Sequence, residues 1–198
     1  MCRLRHLSGA IRASAVALFV LVIAACGEPQ WRGITIDPAR DVPAFRFVQS
    51  DGDTLSTAPE DGRPSLVFFG YTHCPDVCPV TLADWTRAKA ALGDQADRVR
   101  WLFVSVDPAR DTPAIAEAYA QQFDPTFVGL SGDSATTAGI QRAFTVASYE
   151  TPGVTDADYL VTHASQCFLI DDTGKLRAMY SFNSGVDAIV ADLQRLLR

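Results

Sequence analysis

The sequence predicts one α/β sandwich behind an N-terminal export signal. Three observations carry this. Two continuous apolar runs, residues 65–70 and 100–106, have the length and composition of strands buried on both faces. Each is followed by a helical pattern with a proline at its start. Near the C-terminus, two more strand-like runs flank Asp172-Thr173-Gly174 and lead into an amphipathic stretch. The sequence contains no repeat, low-complexity tract or second domain boundary.

Residues 1–25 read as a signal peptide. Arg3, Arg5 and Arg12 form a basic start, and residues 13–25 an apolar core too short to span a bilayer comfortably. Ile23-Ala24-Ala25-Cys26 resembles the bacterial lipobox, which implies cleavage before Cys26 and lipidation of its thiol. An ordinary secretory signal with an incidental cysteine is the alternative. Several acyl chains would anchor the protein to a membrane stably. Residues 26–42 then read as a tether of no clear period, and residues 43–198 as the folded domain. The formal charge is −6, and removing the three signal arginines and no acids leaves −9. That balance speaks for solubility and against nucleic acid as a partner, because phosphates would repel it.

The elements follow in order. Residues 45–48 alternate like a strand, with Asp51-Gly52 as a turn. Residues 66–69 form the central strand and residues 79–92 a helix. Residues 100–106 form the second buried strand, and Asp111-Thr112-Pro113 opens a helix that runs to about Phe123. A short strand at 127–130, a helix at 134–144 and a strand at 147–150 come next, with 151–158 as a loop. Residues 165–170 and 176–180 make a hairpin, and 186–197 a terminal helix. This order matches a thioredoxin-like sandwich with an N-terminal extension and an inserted segment.

Cys74 and Cys78 stand where the central strand hands over to its helix. Four residues apart on a first helical turn, their β-carbons would lie about 6 Å apart on one face. Such sulfurs can close on one soft metal ion or on each other as a disulfide. The helix N-terminus would lower the thiol pKa, and the thiolate is both ligand and nucleophile. The bland alternative, two structural cysteines, fits poorly with the flanking and interleaved prolines. Cys2 leaves with the signal and Cys26 is read as acylated. That leaves three, and an odd cysteine in an exported protein suggests a free thiol or a metal ligand.

At this point a resemblance becomes specific. Phe69-Gly70-Tyr71-Thr72-His73-Cys74-Pro75-Asp76-Val77-Cys78-Pro79 resembles the signature of the Sco/SenC copper-binding family. Val104-Ser105-Val106-Asp107-Pro108-Ala109-Arg110-Asp111-Thr112-Pro113 resembles its second signature. Phe123-Asp124-Pro125 and Gly129-Leu130-Ser131-Gly132 fit the stretch that follows. His163, just before the strand that begins near Cys167, falls where the family carries its ligand histidine. The likeness covers residues 43–197.

The resemblance implies one copper per chain, Cu(I) or Cu(II), held by Cys74, Cys78 and His163. It implies a membrane-anchored metallochaperone that delivers copper to the Cu-A centre of cytochrome c oxidase during assembly. The partner would be the copper-bearing oxidase subunit, met on the periplasmic side of the bacterial cytoplasmic membrane. Two alternatives stay open: a thiol–disulfide reductase for the acceptor's cysteines, using a Cys74–Cys78 redox pair, and a redox or copper sensor. Thioredoxin-like reductases use a pair one residue closer and a cis-proline where Thr162-His163 stands, so both features favour metal. His73 reads as a group that supports the site from outside or lies on the surface, and Asp107 as a further supporting residue. Asp76 reads as a partner contact or a helix N-terminal charge, and Asp111 with Arg110 as a cap and local ion pair. Cys167 departs from the family pattern. It reads as a small buried hydrophobe, or else as a third thiol within reach of the metal.

Overall fold

The computed structural model describes residues 30–153 and 158–198. The signal peptide and Cys26 therefore lie outside the described residues. The chain runs β1 (Ile34–Asp41), β2 (Arg46–Val48), β3 (Thr54–Ser56), β4 (Ser65–Gly70), α1 (Val77–Leu92), a 3-10 turn (Gly93–Arg98), β5 (Arg100–Ser105), α2 (Pro113–Gln121), β6 (Val128–Leu130), α3 (Ser134–Phe144), β7 (Ser148–Thr151), β8 (Leu160–His163), β9 (Cys167–Ile170), β10 (Lys175–Tyr180) and α4 (Val186–Leu196).

Six strands form the central sheet in the order β1-β10-β9-β4-β5-β6. β4, β5 and β6 are parallel, and every residue of β4 and β5 is buried, as their unbroken apolar runs require. β9 runs antiparallel to β4, and β10, antiparallel to β9, runs in the direction of β4 again. Along β4, alternate side chains face opposite layers. Phe68 meets Trp85 of α1, whereas Phe69 meets Phe144 of α3. α4 packs alongside α1. The Trp85, Trp101 and Phe127 rings close one end of the core with centroids 5.6 to 5.8 Å apart. Gly129 lets α2 lie directly on β6, since a β-carbon there would fall 1.9 Å from the Ala116 carbonyl oxygen. This is the thioredoxin-like α/β sandwich expected, with helices on both faces of the sheet.

Three parts differ from the sequence reading. The stretch 26–42 is not all tether, because residues 34–41 form β1 at the sheet edge against β10. The strand has no readable period because its side chains are mostly exposed and its register shifts between Thr35 and Arg40. Thr54–Ser56 completes a hairpin with β2, too short to show alternation. Leu160–His163 is a strand, paired with β7 in a two-stranded ribbon apart from the main sheet. The loop read at 151–158 falls partly on residues 154–157, outside the described residues.

The chain entering β1 is held firmly. Asp192, 2% exposed, accepts the backbone N–H groups of Arg32 and Gly33 and the Tyr180 hydroxyl, each at 2.9 Å. The Arg195 guanidinium lies over the Trp31 ring, 4.2 Å from its centroid. Among the described residues, no helix is long and apolar enough to cross a membrane.

Candidate metal centre

The site sits where β4 ends. After Gly70 the chain turns through Tyr71-Thr72-His73-Cys74, with the Cys74 N–H donating to the Tyr71 carbonyl at 3.2 Å. A fully buried carboxylate, Asp111, holds this turn. It accepts the Thr72 N–H at 3.0 Å, the Thr72 hydroxyl at 2.6 Å and the Ser105 hydroxyl at 2.6 Å. α1 starts at Val77, so Cys78 lies in its first turn while Cys74 precedes the helix. The two cysteines are thus not both on the helix, as their spacing suggested. The Cys78 N–H instead points at the Cys74 sulfur, at 3.5 Å, and the sulfur takes the place of a capping oxygen. Cys78 is fully buried over Gly70, where a β-carbon would come within 2.6 Å of its sulfur.

His163 arrives from the far side of the sequence as the last residue of β8. Its Nε2 lies 3.5 Å from the Cys78 sulfur. Its Nδ1 lies 2.9 Å from the Ala164 carbonyl oxygen. Nδ1 is thus taken up by the backbone carbonyl, and Nε2 is the nitrogen turned toward the sulfurs, as in a metal-ligating histidine. The imidazole stands edge-on to Phe68 and Tyr71, with centroids 5.9 and 5.7 Å away. The sulfurs of Cys74 and Cys78 and a nitrogen of His163 all lie within 4.8 Å of one another. Ligands about 2.0 to 2.3 Å from a shared ion have comparable mutual spacings.

The two thiols are electrostatically unlike. The Cys74 pKa is pulled down to about 3, first by the hydrogen bond from the Cys78 thiol, against the effect of burial, with His163 and the N–H groups of Asp76 and Cys78 adding to it. The Cys78 pKa is pushed far up by burial and then by the Cys74 charge. The pair therefore holds one proton between them, on Cys78. Alkylation of Cys74 in the reduced, metal-free protein should run at a nearly constant rate from pH 5 to pH 8, where its thiolate fraction is already saturated. A rate rising about tenfold per pH unit from pH 5 to pH 8, as an ordinary thiol gives, would contradict this.

The remaining candidates separate cleanly. His73 is exposed and stays outside the three-donor cluster; its Nδ1 lies 3.1 Å from the Thr72 hydroxyl and 3.9 Å from Asp111. Asp76 is exposed at the helix start and makes no side-chain cap. Arg110 pairs with Asp107 at 2.6 Å rather than with Asp111, and Thr112 rather than Asp111 caps α2. Cys167 pairs across the sheet with Phe68 and Tyr180, 5% exposed, and its pKa is raised to about 12 by burial. It is not among the three clustered ligands. Sequence reasoning missed Asp111 as the brace of the cysteine turn, and Gly70 as the space for the Cys78 sulfur. Only proximity in the fold reveals either role.

The sequence pattern of the SCO1/SenC family matches residues 35–198. The chain belongs to the SCO1/SenC family. A SCO2-like protein of Rickettsia felis is 30% identical over 151 residues, covering 76% of this chain and 74% of that one. Other SCO relatives are longer, and the chain spans 59% of the sco1 protein of Schizosaccharomyces pombe. Among solved structures, apo Sco1 from Thermus thermophilus superposes with a TM-score of 0.75 at 34% identity, over 86% of this chain and 99% of that one. Copper-bound ScoI from Bradyrhizobium japonicum gives 0.71 at 35% identity, over 79% and 99%. The SCO1/SenC match thus spans both the cysteine turn and the histidine ribbon.

Proposed function

We propose that this protein is a copper metallochaperone of the Sco type. It takes one copper ion on Cys74, Cys78 and His163 and passes it to the Cu-A centre of cytochrome c oxidase during assembly. The observation that carries this reading is the convergence of two sulfurs and one imidazole nitrogen within 4.8 Å. Thiolates are soft ligands that select Cu(I), and an added imidazole lets the same site hold Cu(II). Cys74, ionised and partly exposed, is the sulfur an incoming acceptor thiolate meets first. Ligand exchange then proceeds to Cys78. Support comes from the copper-bound ScoI structure and from BsSco, described as a member of the Sco family of cytochrome c oxidase assembly proteins. The lipobox-like Ile23-Ala24-Ala25-Cys26 supports attachment to the outer face of the cytoplasmic membrane through Cys26. Radiolabelled fatty acid should enter the wild-type protein and not Cys26→Ser, and an unlabelled wild type would reject the anchor.

The test of the copper reading is anaerobic titration. Wild type should bind one equivalent of either oxidation state. His163→Ala should weaken Cu(II) by more than about tenfold and Cu(I) by less than about threefold, since two thiolates alone satisfy linear Cu(I). Equal losses would remove His163 from the ligand set. A thiol–disulfide reductase is the second reading, favoured by the partly exposed, ionised Cys74 beside a protonated Cys78. The Cys74 thiolate would attack an acceptor disulfide and release one acceptor thiolate; Cys78 would then close on Cys74, giving its single proton to the acceptor pair as the second acceptor sulfur leaves, so that two electrons pass to the acceptor. A thiolate of such low pKa is a weak nucleophile, however, so metal binding uses this pair better than exchange does.

A further inference from the structure

The ribbon that carries His163 is not hydrogen-bonded into the main sheet. β8 pairs with β7 alone. It is attached to the body by the buried Val161 and by a polar grip from the segment after β5. Asp107, 3% exposed, uses both carboxylate oxygens: Oδ2 accepts from Arg110 Nε at 2.6 Å and Oδ1 from the Tyr159 hydroxyl at 2.7 Å. Arg110 Nη1 donates to the Tyr159 carbonyl at 2.9 Å. The Arg110 guanidinium also lies over the Tyr159 ring, 3.5 Å from its centroid. Tyr159 is thus gripped at ring, hydroxyl and backbone, directly before β8 begins. The shielding of this grip from water strengthens each charge-assisted contact.

His163 lies four residues further on. Its side chain meets the Ala164 carbonyl, the two cysteine sulfurs and two ring edges. Its place depends on its backbone, which is held by the pairing of β8 with β7, by the buried Val161 and by Tyr159 at the start of the strand. The sulfurs are placed independently, by the end of β4, the start of α1 and the Asp111 brace.

We propose that Asp107, Arg110 and Tyr159 form a latch that keeps His163 within reach of the thiols. They are positioning residues and touch none of the three donors. Opening the latch withdraws the nitrogen ligand while both sulfurs stay where they are. The latch thereby sets how long the site retains Cu(II), which needs the nitrogen, with little effect on Cu(I), which two thiolates satisfy. This consequence rests on the copper reading above; the docking of the ribbon does not.

The experiment uses the full-length protein and two variants, Tyr159→Phe and Arg110→Lys. Tyr159→Phe keeps the ring and removes one charge-assisted hydrogen bond. In the metal-free protein, hydrogen exchange read by mass spectrometry should accelerate about tenfold across residues 160–163, with β9 and α1 unchanged. With copper, Cu(II) should dissociate about tenfold faster, and Cu(I) affinity should stay within about threefold. Tyr159→Phe added to His163→Ala should cost no further Cu(II) affinity, because the residue acts through the histidine. Unchanged exchange at 160–163 in both variants overturns the latch. So does a Cu(II) loss that adds in full to that of His163→Ala. A wild type that binds no copper would sink the metallochaperone reading alone, and the metal-free exchange would still decide the latch.

Discussion

The double variant Cys74→Ser/Cys78→Ser should lose copper affinity by far more than a hundredfold and keep its fold. Loss of a partner outside the ligand shell costs about 10- to 100-fold in metal affinity, so removing both sulfurs must exceed that range. Hydroxyl oxygens are hard, neutral donors, and neither Cu(I) nor Cu(II) finds a substitute for a thiolate in them. Folding should survive because the sulfurs make few contacts that an oxygen cannot fill. Cys74 is only partly buried, and the buried Cys78 would trade sulfur for a smaller oxygen over Gly70. Competition against a Cu(I) chelator under anaerobic conditions measures the affinity, and thermal unfolding checks the fold. A double variant that binds one copper as tightly as wild type would place the site elsewhere.

Asp111→Ala should be the most damaging single change near the site, at about 3 to 5 kcal/mol of folding stability. The carboxylate is fully buried and accepts three hydrogen bonds, from Thr72 N–H, Thr72 Oγ1 and Ser105 Oγ. Hydrogen bonds to a charged group contribute about 1.5 to 3 kcal/mol each, and donors left unsatisfied add a desolvation cost. Domains of this kind have only about 5 to 15 kcal/mol in total, so the variant stands near the limit of folding. Its effect should also reach the chemistry. The turn through Thr72 and His73 delivers Cys74, so native-state alkylation of Cys74 should change with the loss of the brace. Denaturant unfolding measures the stability. A loss below about 1 kcal/mol would mean that water or a rearranged side chain replaces the carboxylate.

The parts of the fold visible in the sequence are those where local pattern and tertiary role agree. β4 and β5 are apolar throughout because both faces are covered, and β9, β10 and α4 announce themselves by turn and periodicity. β1 does not, because an exposed edge strand needs only its backbone to pair. β8 does not, because Leu160-Val161-Thr162-His163 becomes a strand by pairing with β7 and through the contacts that Tyr159 makes with the distant Asp107, neither of which shows as a local pattern. The cysteine pair was legible from spacing and the histidine only through family resemblance. Cys74 was misplaced onto the helix because spacing cannot locate a helix start to within a turn. Asp111 read as a cap because its carboxylate meets Thr72 only through the parallel register that sets Gly70 beside Ser105.

The Asp192 clamp has a mechanical consequence. Ile34 lies beside Met179, Tyr180 beside Cys167, and Cys167 beside Phe68. The point where the chain enters the sheet and the end of β4 that presents the thiols are therefore at the same end of the strands, three strands apart, or roughly 15 Å. Any pull on the chain upstream of Trp31 is borne first by Arg32 and Gly33 on Asp192, and passes into α4 and β10 rather than into the thiol turn. The Asp171–Gly174 turn lies at the opposite end of the strands, away from such a mooring. Under the anchor proposed above, the thiol-bearing end of the sheet would face the moored side, with the cysteine turn out of the line of load.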